Sequence, residues 1–435
     1  MEAILQVKRS SKNMKDSIVK RIKFVIDENN KLQKDLSILQ KNQLELEYKL
    51  NQIYNANSYK LWQKFNKIKK LILAPFRFIK YLIGPIIFYI KFEFRKIFIK
   101  KIELKCLKEN YVIDGISFII PTWNKEEMVV RCVENLIKII SKECTDIDKE
   151  IIIVDNGSKD HTVKSLKTIK SKIPIRIIKL KTNQGFGKAV NLATKKSKFN
   201  YIYLLNNDMF PKDGFLSEII KFAKNLIKDN KPFFGLSSQI FFYDPTKRRE
   251  ESGKTYITPK FGFINVAHCV NEANLIDNSI TAYPGGGSSL LNKYIFKKIG
   301  YYDYNSYKPL YCEDLDSGFV AWKIGFPSYY VANSHVVHHH RSSSKQLSVD
   351  PDFMMHKNWL TFILKNVSDK SLYLNHIFSY GLLCALDKKY REYSDDVYKN
   401  INNILNSKLQ MNKFNNKFQE KELINFVEFE TKHEF

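Results

Sequence analysis

The 435-residue chain is 44% hydrophobic and 14% aromatic, which excludes a wholly disordered protein and leaves apolar material for more than one compact unit. Its 16 Gly and 12 Pro are too few for a collagen-like or linker-like chain. With 71 Lys or Arg against 45 Asp or Glu the formal net charge is +26, which calls for a polyanionic partner: nucleic acid, an anionic membrane or a phosphorylated substrate.

The six cysteines (Cys106, Cys132, Cys144, Cys269, Cys312 and Cys384) are scattered without a CxxC pair, the usage of a reducing compartment rather than of a disulfide framework. The opening MEAILQVKRSSKNMKDS has no apolar core ahead of a small-residue cleavage site, so no signal peptide is expected. A bilayer demands about 20 apolar residues in a row. The run Tyr81–Ile90 is shorter and holds Gly84-Pro85, while Ser371–Leu386 holds Asn375 and His376 and reads as a buried helix, so no membrane-crossing helix is expected.

The first predicted element is a heptad helix. Ile22, Asn29, Leu36, Gln43 and Leu50 fall at a if Val25, Leu32, Leu39, Leu46 and Ile53 fall at d. The 3.5-residue period predicts a left-handed coiled coil within residues 1–59, and Asn29 at a favours a parallel homodimer in one register. A single amphipathic helix packed on its own domain is the competing reading.

Residues 60–110 are basic and amphipathic. Between Lys60 and Lys108 stand fourteen Lys or Arg and only Glu93 and Glu103 as acids. Leu61, Trp62, Phe65, Ile68, Ile72, Phe76 and Ile79 line one helical face, with Pro75 expected to kink or divide the helix. Such a segment suits an anionic membrane surface. A lid on the catalytic domain with snorkelling lysines is the alternative.

From residue 111 to about 370, apolar runs alternate with helical patterns. Ile116–Ile120, Ile151–Val154, Ile175–Leu180 and Tyr201–Leu205 read as strands and Glu126–Ile140 as a helix, implying βαβ units and a mostly parallel sheet. Ligands of such sheets bind at the carboxyl ends of the strands. Those ends carry Pro121-Thr122-Trp123-Asn124, then Asp155-Asn156-Gly157-Ser158, then Asn183 to Asn191, then Asn206-Asn207-Asp208. Residues 371–435 read as helical to Asn402 and as a polar tail beyond it.

These pieces resemble glycosyltransferase family 2, the inverting nucleotide-sugar transferases, and most of all its rhamnosyltransferase-like branch. IIPTWN, IIIVDNGSKD, NQGFGKAVN, YLLNNDM, PGGGSSLLNKYIFKKIGYYD, YCEDLDSGFVAWKIGF and VVHHHRSSS carry the likeness across roughly residues 113–370. The resemblance implies a GT-A fold: α/β, Rossmann-like, with a mixed, mostly parallel sheet and flanking helices. It implies a divalent cation, Mg²⁺ or Mn²⁺, held by Asp208 and by a late histidine, His338 with His340 next in line. It implies Asp314 as the base that deprotonates the acceptor hydroxyl, with Glu313 orienting the acceptor or a neighbour. Asp155 is then expected at the base edge of the nucleotide, Thr122 and Asn124 at the nucleoside, Asn183 at the ribose or base, and Lys188 at phosphate. Gly285, Gly286 and Gly287 would let the backbone approach donor or acceptor closely, and Lys357 is a further phosphate candidate.

The resulting expectation is an inverting, metal-dependent glycosyltransferase for cell-surface polysaccharide. It would act on the cytoplasmic face of a membrane, peripheral and homodimeric, with a glycan or lipid-linked acceptor. The alternative is a non-catalytic coiled-coil scaffold whose GT-A-like domain only binds. No nucleic-acid-binding motif accompanies the charge, so nucleic acid is not an expected partner. A processive synthase is disfavoured because no QxxRW motif occurs.

Overall fold

The computed structural model describes residues 34, 38, 41–49, 52, 57–104, 111–244, 246, 251–260, 262–339, 350–418 and 420. Residues 41–49 are helical, but most of the heptad segment and His340 lie outside the described residues. Two compact units divide at Pro75, so the expected 60–110 segment is shared between them. Helix α1 (Asn57–Lys96) is not divided by its prolines. Before Pro75 it exposes Leu61, Trp62, Phe65, Ile68, Leu71 and Ile72.

The isoleucine-rich runs form strands because β-branched side chains pack well on a pleated surface buried on both faces. In chain order the second unit holds β1 (Gly115–Thr122), α2 (Glu126–Ile140), β2 (Asp148–Asp155), α3 (Thr162–Leu166), β3 (Ile175–Lys179), α4 (Phe186–Lys196), β4 (Tyr201–Leu205), β5 (Met209–Pro211), α5 (Phe215–Lys228) and β6 (Gly235–Phe242). There follow β7 (Thr255–Lys260), β8 (Phe263–His268), β9 (Ser279–Thr281), β10 (Ser288–Asn292), α6 (Lys293–Lys298), α7 (Glu313–Lys323) and β11 (Ser328–His338). Four helices close the order: α8 (Pro351–Asn366), α9 (Lys370–Leu386), α10 (Lys388–Lys399) and α11 (Ile401–Met411).

The main sheet runs β3-β2-β1-β4-β10-β6-β11-β5, with β9 on β11. β1, β2, β3 and β4 are parallel, β10 runs against β4 and β6, and β6 and β11 are parallel again. The mixed α/β fold read from the sequence is therefore present. β1 continues past Ile120 through Pro121 because its pairing with β4 ends at Ile119, leaving the missing N–H of Pro121 where only β2 flanks the strand.

Val129, Cys132, Val133 and Leu136 of α2 and Leu216, Ile219, Ile220 and Ala223 of α5 cover one sheet face. Ala189, Val190 and Ala193 of α4, with Val320 and Ala321 of α7, cover the other. A third cluster joins Tyr81, Phe88 and Phe92 of α1 to α8 and α9, so the second half of α1 belongs to the folded unit.

Two expectations change here. By length and composition, the helix Lys60–Lys96 is long and apolar enough to cross a membrane. A search for uncharged runs stops at Arg77 and Lys80, but the helix does not. Even so, Tyr81, Phe88 and Phe92 are buried on the folded unit. The tail read as helical from Ser371 to Asn402 is three helices reaching Met411.

Candidate active site

β1 lies between β2 and β4, the two strands reached by crossovers in opposite directions. Such a reversal opens a crevice at the carboxyl ends of the strands, and four of the predicted loops meet there. Asn124 and Lys125 take positive φ values of 56° and 63°, turning the chain sharply after β1. The Asn124 backbone N–H donates to Ser158 Oγ at 2.7 Å, and Asn124 Oδ1 accepts from the Lys159 N–H at 3.0 Å. The first two loops are thus stitched together through Asn124.

Asp155 ends β2 and is fully buried. Its Oδ1 accepts from the Ser158 N–H at 3.1 Å, while Oδ2, buried, has no hydrogen-bond partner in the structure. An orphan carboxylate oxygen there suits an N–H on the edge of a nucleobase. Thr122 Oγ1 accepts from Asn207 Nδ2 at 2.9 Å, tying the end of β1 to the end of β4.

Two nucleotide-site candidates are already engaged. Asn183 Oδ1 accepts from the Gly185 N–H at 2.9 Å and from Asn156 Nδ2 at 3.0 Å, so it shapes its own loop. Lys188 Nζ donates to Gln184 Oε1 at 2.7 Å and lies over the Tyr304 ring. Lys357 is further from the expectation. Its ammonium donates to the Lys308 carbonyl at 3.0 Å and sits 3.7 Å from Asp396.

Asp208 follows β4 and is buried. His338, the last residue of β11, places Nε2 at 3.6 Å from Asp208 Oδ1. His339 instead donates its backbone N–H to the Asp208 carbonyl and stacks its ring on Tyr243. Of these two histidines His338 turns its ring toward Asp208, while His340, the other candidate, lies outside the described residues. Glu251, which no sequence motif marked, holds the other face of this histidine, with Oε2 at 3.3 Å from Nδ1. Burial pulls the imidazole pKa down, but Asp208 and Glu251 outweigh it and raise it to about 10.

One carboxylate oxygen and one imidazole nitrogen, both buried, form a donor set that fits Mn²⁺ or Mg²⁺. Among the described residues no three His, Cys, Asp or Glu donors are grouped to hold an ion unaided. Hard cations of this kind bind through few protein ligands and substrate phosphates.

Asp314 lies in the first turn of α7, half-buried, facing the glycine loop. Its Oδ2 accepts from the Gly286 N–H at 3.0 Å and its Oδ1 from the Leu315 N–H at 2.8 Å. Burial raises its pKa against those two donors. A Cβ on Gly287 would stand 2.9 Å from Met209 Cε and 3.0 Å from Asn206 Nδ2, side-chain atoms that would have to give way. The neighbouring Gly285 faces open space.

Glu313 is buried, Oε2 has no hydrogen-bond partner, and burial plus the Asp314 charge push it up to about 8. Asp316, the third acid of the segment, is structural. It accepts from Lys365 Nζ at 2.8 Å, Asn366 Nδ2 at 2.6 Å and Tyr307 OH at 2.9 Å. Asn358 Nδ2 donates to the carbonyls of Tyr307, Leu310 and Tyr311 and so holds the loop leading into α7.

The sequence profile described as "Glycosyl transferase family 2" matches residues 117–282. Poly-beta-1,6-N-acetyl-D-glucosamine synthase of Staphylococcus epidermidis is 25% identical over 270 residues, 60% of this chain and 57% of that protein. The protein of the same name from Staphylococcus aureus strain COL is 22% identical over 269 residues, again 60% and 57%. The chain is similar to glycosyl transferase family 2 over residues 117–282. It spans about 57% of the length of these curated relatives.

Among solved structures, GalNAc-T7 with UDP, GalNAc and Mn²⁺ overlaps at a TM-score of 0.48 and 14% identity, covering 66% of this chain and 56% of that one. S. aureus TarS 1-349 with UDP-GlcNAc overlaps at 0.43 and 14%, covering 69% and 89%. The family 2 profile takes in Thr122, Asn124, Asp155, Asn183, Lys188 and Asp208. Gly285–Gly287, Glu313, Asp314 and His338 lie beyond it and reach the crevice only through the fold.

Proposed function

We propose that this protein is an inverting, divalent-cation-dependent glycosyltransferase. It moves a sugar from a nucleotide-sugar donor to a glycan or lipid-linked acceptor in cell-surface polysaccharide synthesis. The observation that carries the reading is the meeting of four distant segments: Asp208 with His338 on one side, Asp314 on the Gly286 N–H on the other, and the Asn206 N–H donating to the Gly287 carbonyl between them.

The nucleobase sits against Asp155, whose free oxygen accepts its N–H, and the nucleoside rests along Thr122 and Asn124. Asp208 and His338 hold the cation, which when bound neutralises charge on the diphosphate. Glu251 lies 3.3 Å from Nδ1 of His338 and holds that side of the ring, leaving Nε2 for that duty. Asp314 takes the proton of the acceptor hydroxyl while its oxygen attacks the anomeric carbon from the face opposite the diphosphate. The new C–O bond forms as the bond to the diphosphate breaks, and the configuration inverts. Raised by burial, the Asp314 carboxylate is a stronger base than an exposed aspartate.

The enzyme acts peripherally on the cytoplasmic face of the cell membrane, held there by the basic, apolar α1, and pairs through the heptad helix. Product formation across a panel of nucleotide sugars, with Mn²⁺, Mg²⁺ or EDTA, tests the assignment. Transfer or donor hydrolysis with at least one sugar, abolished by EDTA, is expected. Turnover indifferent to EDTA overturns the metal reading, and a full panel without turnover overturns the enzyme reading.

A further inference from the structure

The second half of α1 has two faces of opposite fate. Its inner face is built into the unit that begins at Phe76. Tyr81, Phe88 and Phe92 are buried, Tyr373 OH donates to the Pro85 carbonyl at 2.9 Å, and Tyr398 OH donates to the Tyr81 carbonyl at 3.1 Å. Its outer face carries Phe76, Ile79, Ile83, Ile87, Ile90 and Phe94, three or four residues apart and each at least 45% exposed. That stripe is about 27 Å long at 1.5 Å per residue.

A second stripe lies on α9, a helix without a functional reading from the sequence. Phe378, Leu382 and Leu386 recur every fourth residue and are 52%, 45% and 65% exposed. The two helices meet beside these stripes: the Phe78 and Phe378 rings are 5.2 Å apart, and a Cβ on Gly381 would stand 3.2 Å from the Phe78 ring. Gly381 thus brings α9 close to α1. Exposed apolar surface of this extent on a folded unit marks an interaction site.

Charge decides the partner. Glu93 is the only acid on α1, whereas Lys80, Lys91 and Arg95 are exposed along it, and beyond Leu386 a single acid, Asp387, is followed by Lys388 and Lys389. A cationic border repels a second copy of the same face and attracts an anionic lipid surface. Because the α1 segment is packed on the unit, whatever binds there also orients the catalytic crevice.

We propose that α1 and α9 together form a two-helix membrane-docking face, with Phe378, Leu382 and Leu386 entering the interface of an anionic bilayer beside the α1 stripe. This rests on the membrane-surface reading above and adds the C-terminal helix to it.

Co-flotation of the full-length protein with vesicles of phosphatidylcholine and phosphatidylglycerol tests it, with light scattering for mass and a thermal melt for folding. Leu382→Glu with Leu386→Glu is expected to lower partitioning at least tenfold and leave the melt unchanged. Phe378→Ser is expected to lower it several-fold. Ile83→Glu with Ile87→Glu on α1 is the comparison. If the α1 variant detaches and the α9 variants float like the unaltered protein, α9 is not part of the face. If the unaltered protein fails to float, the membrane reading falls and this proposal with it. If the α9 variants halve the mass and still float, the face joins two copies and the proposal is overturned.

Discussion

Asp314 and Glu313 are adjacent in sequence and differ in what surrounds them. Asp314 turns to the glycine loop and is steadied by the Gly286 N–H, whereas Glu313 turns inward, where no hydrogen bond meets its Oε2. Asp314→Asn is expected to lower turnover by about 10²- to 10⁴-fold while calorimetry shows donor binding unchanged. In the unaltered enzyme the rate should climb with pH through a value above the ordinary aspartate range, since only the carboxylate takes the proton. A flat profile, or a fully active Asn variant, removes Asp314 from the role. Glu313 has a folded-state pKa of about 8, above its ordinary value of 4.5. Its contribution to stability is therefore complete below about 4.5 and declines as pH rises to about 8. Glu313→Gln should flatten that decline, so that its melting temperature gains on the unaltered protein from pH 5 to 8. Parallel melting curves would contradict this. Asp208→Ala should abolish Mn²⁺ binding followed by electron paramagnetic resonance. Glu251→Ala should weaken it about 10- to 100-fold, and Glu251→Gln less because an acceptor remains. Unchanged affinity in both Ala variants would exclude these side chains from the cation site.

At the scale of elements, the site depends on loops held from outside it. Asn358 binds three carbonyls of the segment that delivers α7, and Tyr311 and Cys312 reach the helix through positive φ values of 77° and 73°. The second half of α1 is held by its aromatic side chains. Phe92 is fully buried, with Lys408 Nζ 4.6 Å from its ring centroid. Phe92→Ala should cost about 3–5 kcal/mol, read as a lower denaturation midpoint in urea. A cost within the range of a surface substitution would mean that α1 rests only loosely on the unit.

For the whole molecule, the division at Pro75 relocates the natural cut. A chain starting near residue 110 would lose Tyr81, Phe88 and Phe92 from a buried cluster, so it is expected to aggregate. A chain starting at 76 should fold. Light scattering is expected to give twice the chain mass for the full-length protein and one chain mass for the shortened one, because the heptad residues precede the cut. Equal masses per chain for both would set the coiled-coil pairing aside.

The sequence by itself determined the alternation of strands and helices and the roster of strand-end residues. These rest on local signals: β-branched runs, 3.6-residue periodicity and turn chemistry are written in consecutive residues. The α2 bounds read from spacing, Glu126 to Ile140, are those of the structure. Only the tertiary structure decided which polar residues converge. It set His338 rather than His339 beside Asp208, added Glu251 from a segment with no motif, and committed Asp316 and Lys357 to internal bonds. It also divided α1 into a buried and an exposed face. The reason is the same each time. A side chain's duty depends on neighbours tens to hundreds of residues away, and a hydrogen bond or a packed ring across that distance leaves no local pattern to read.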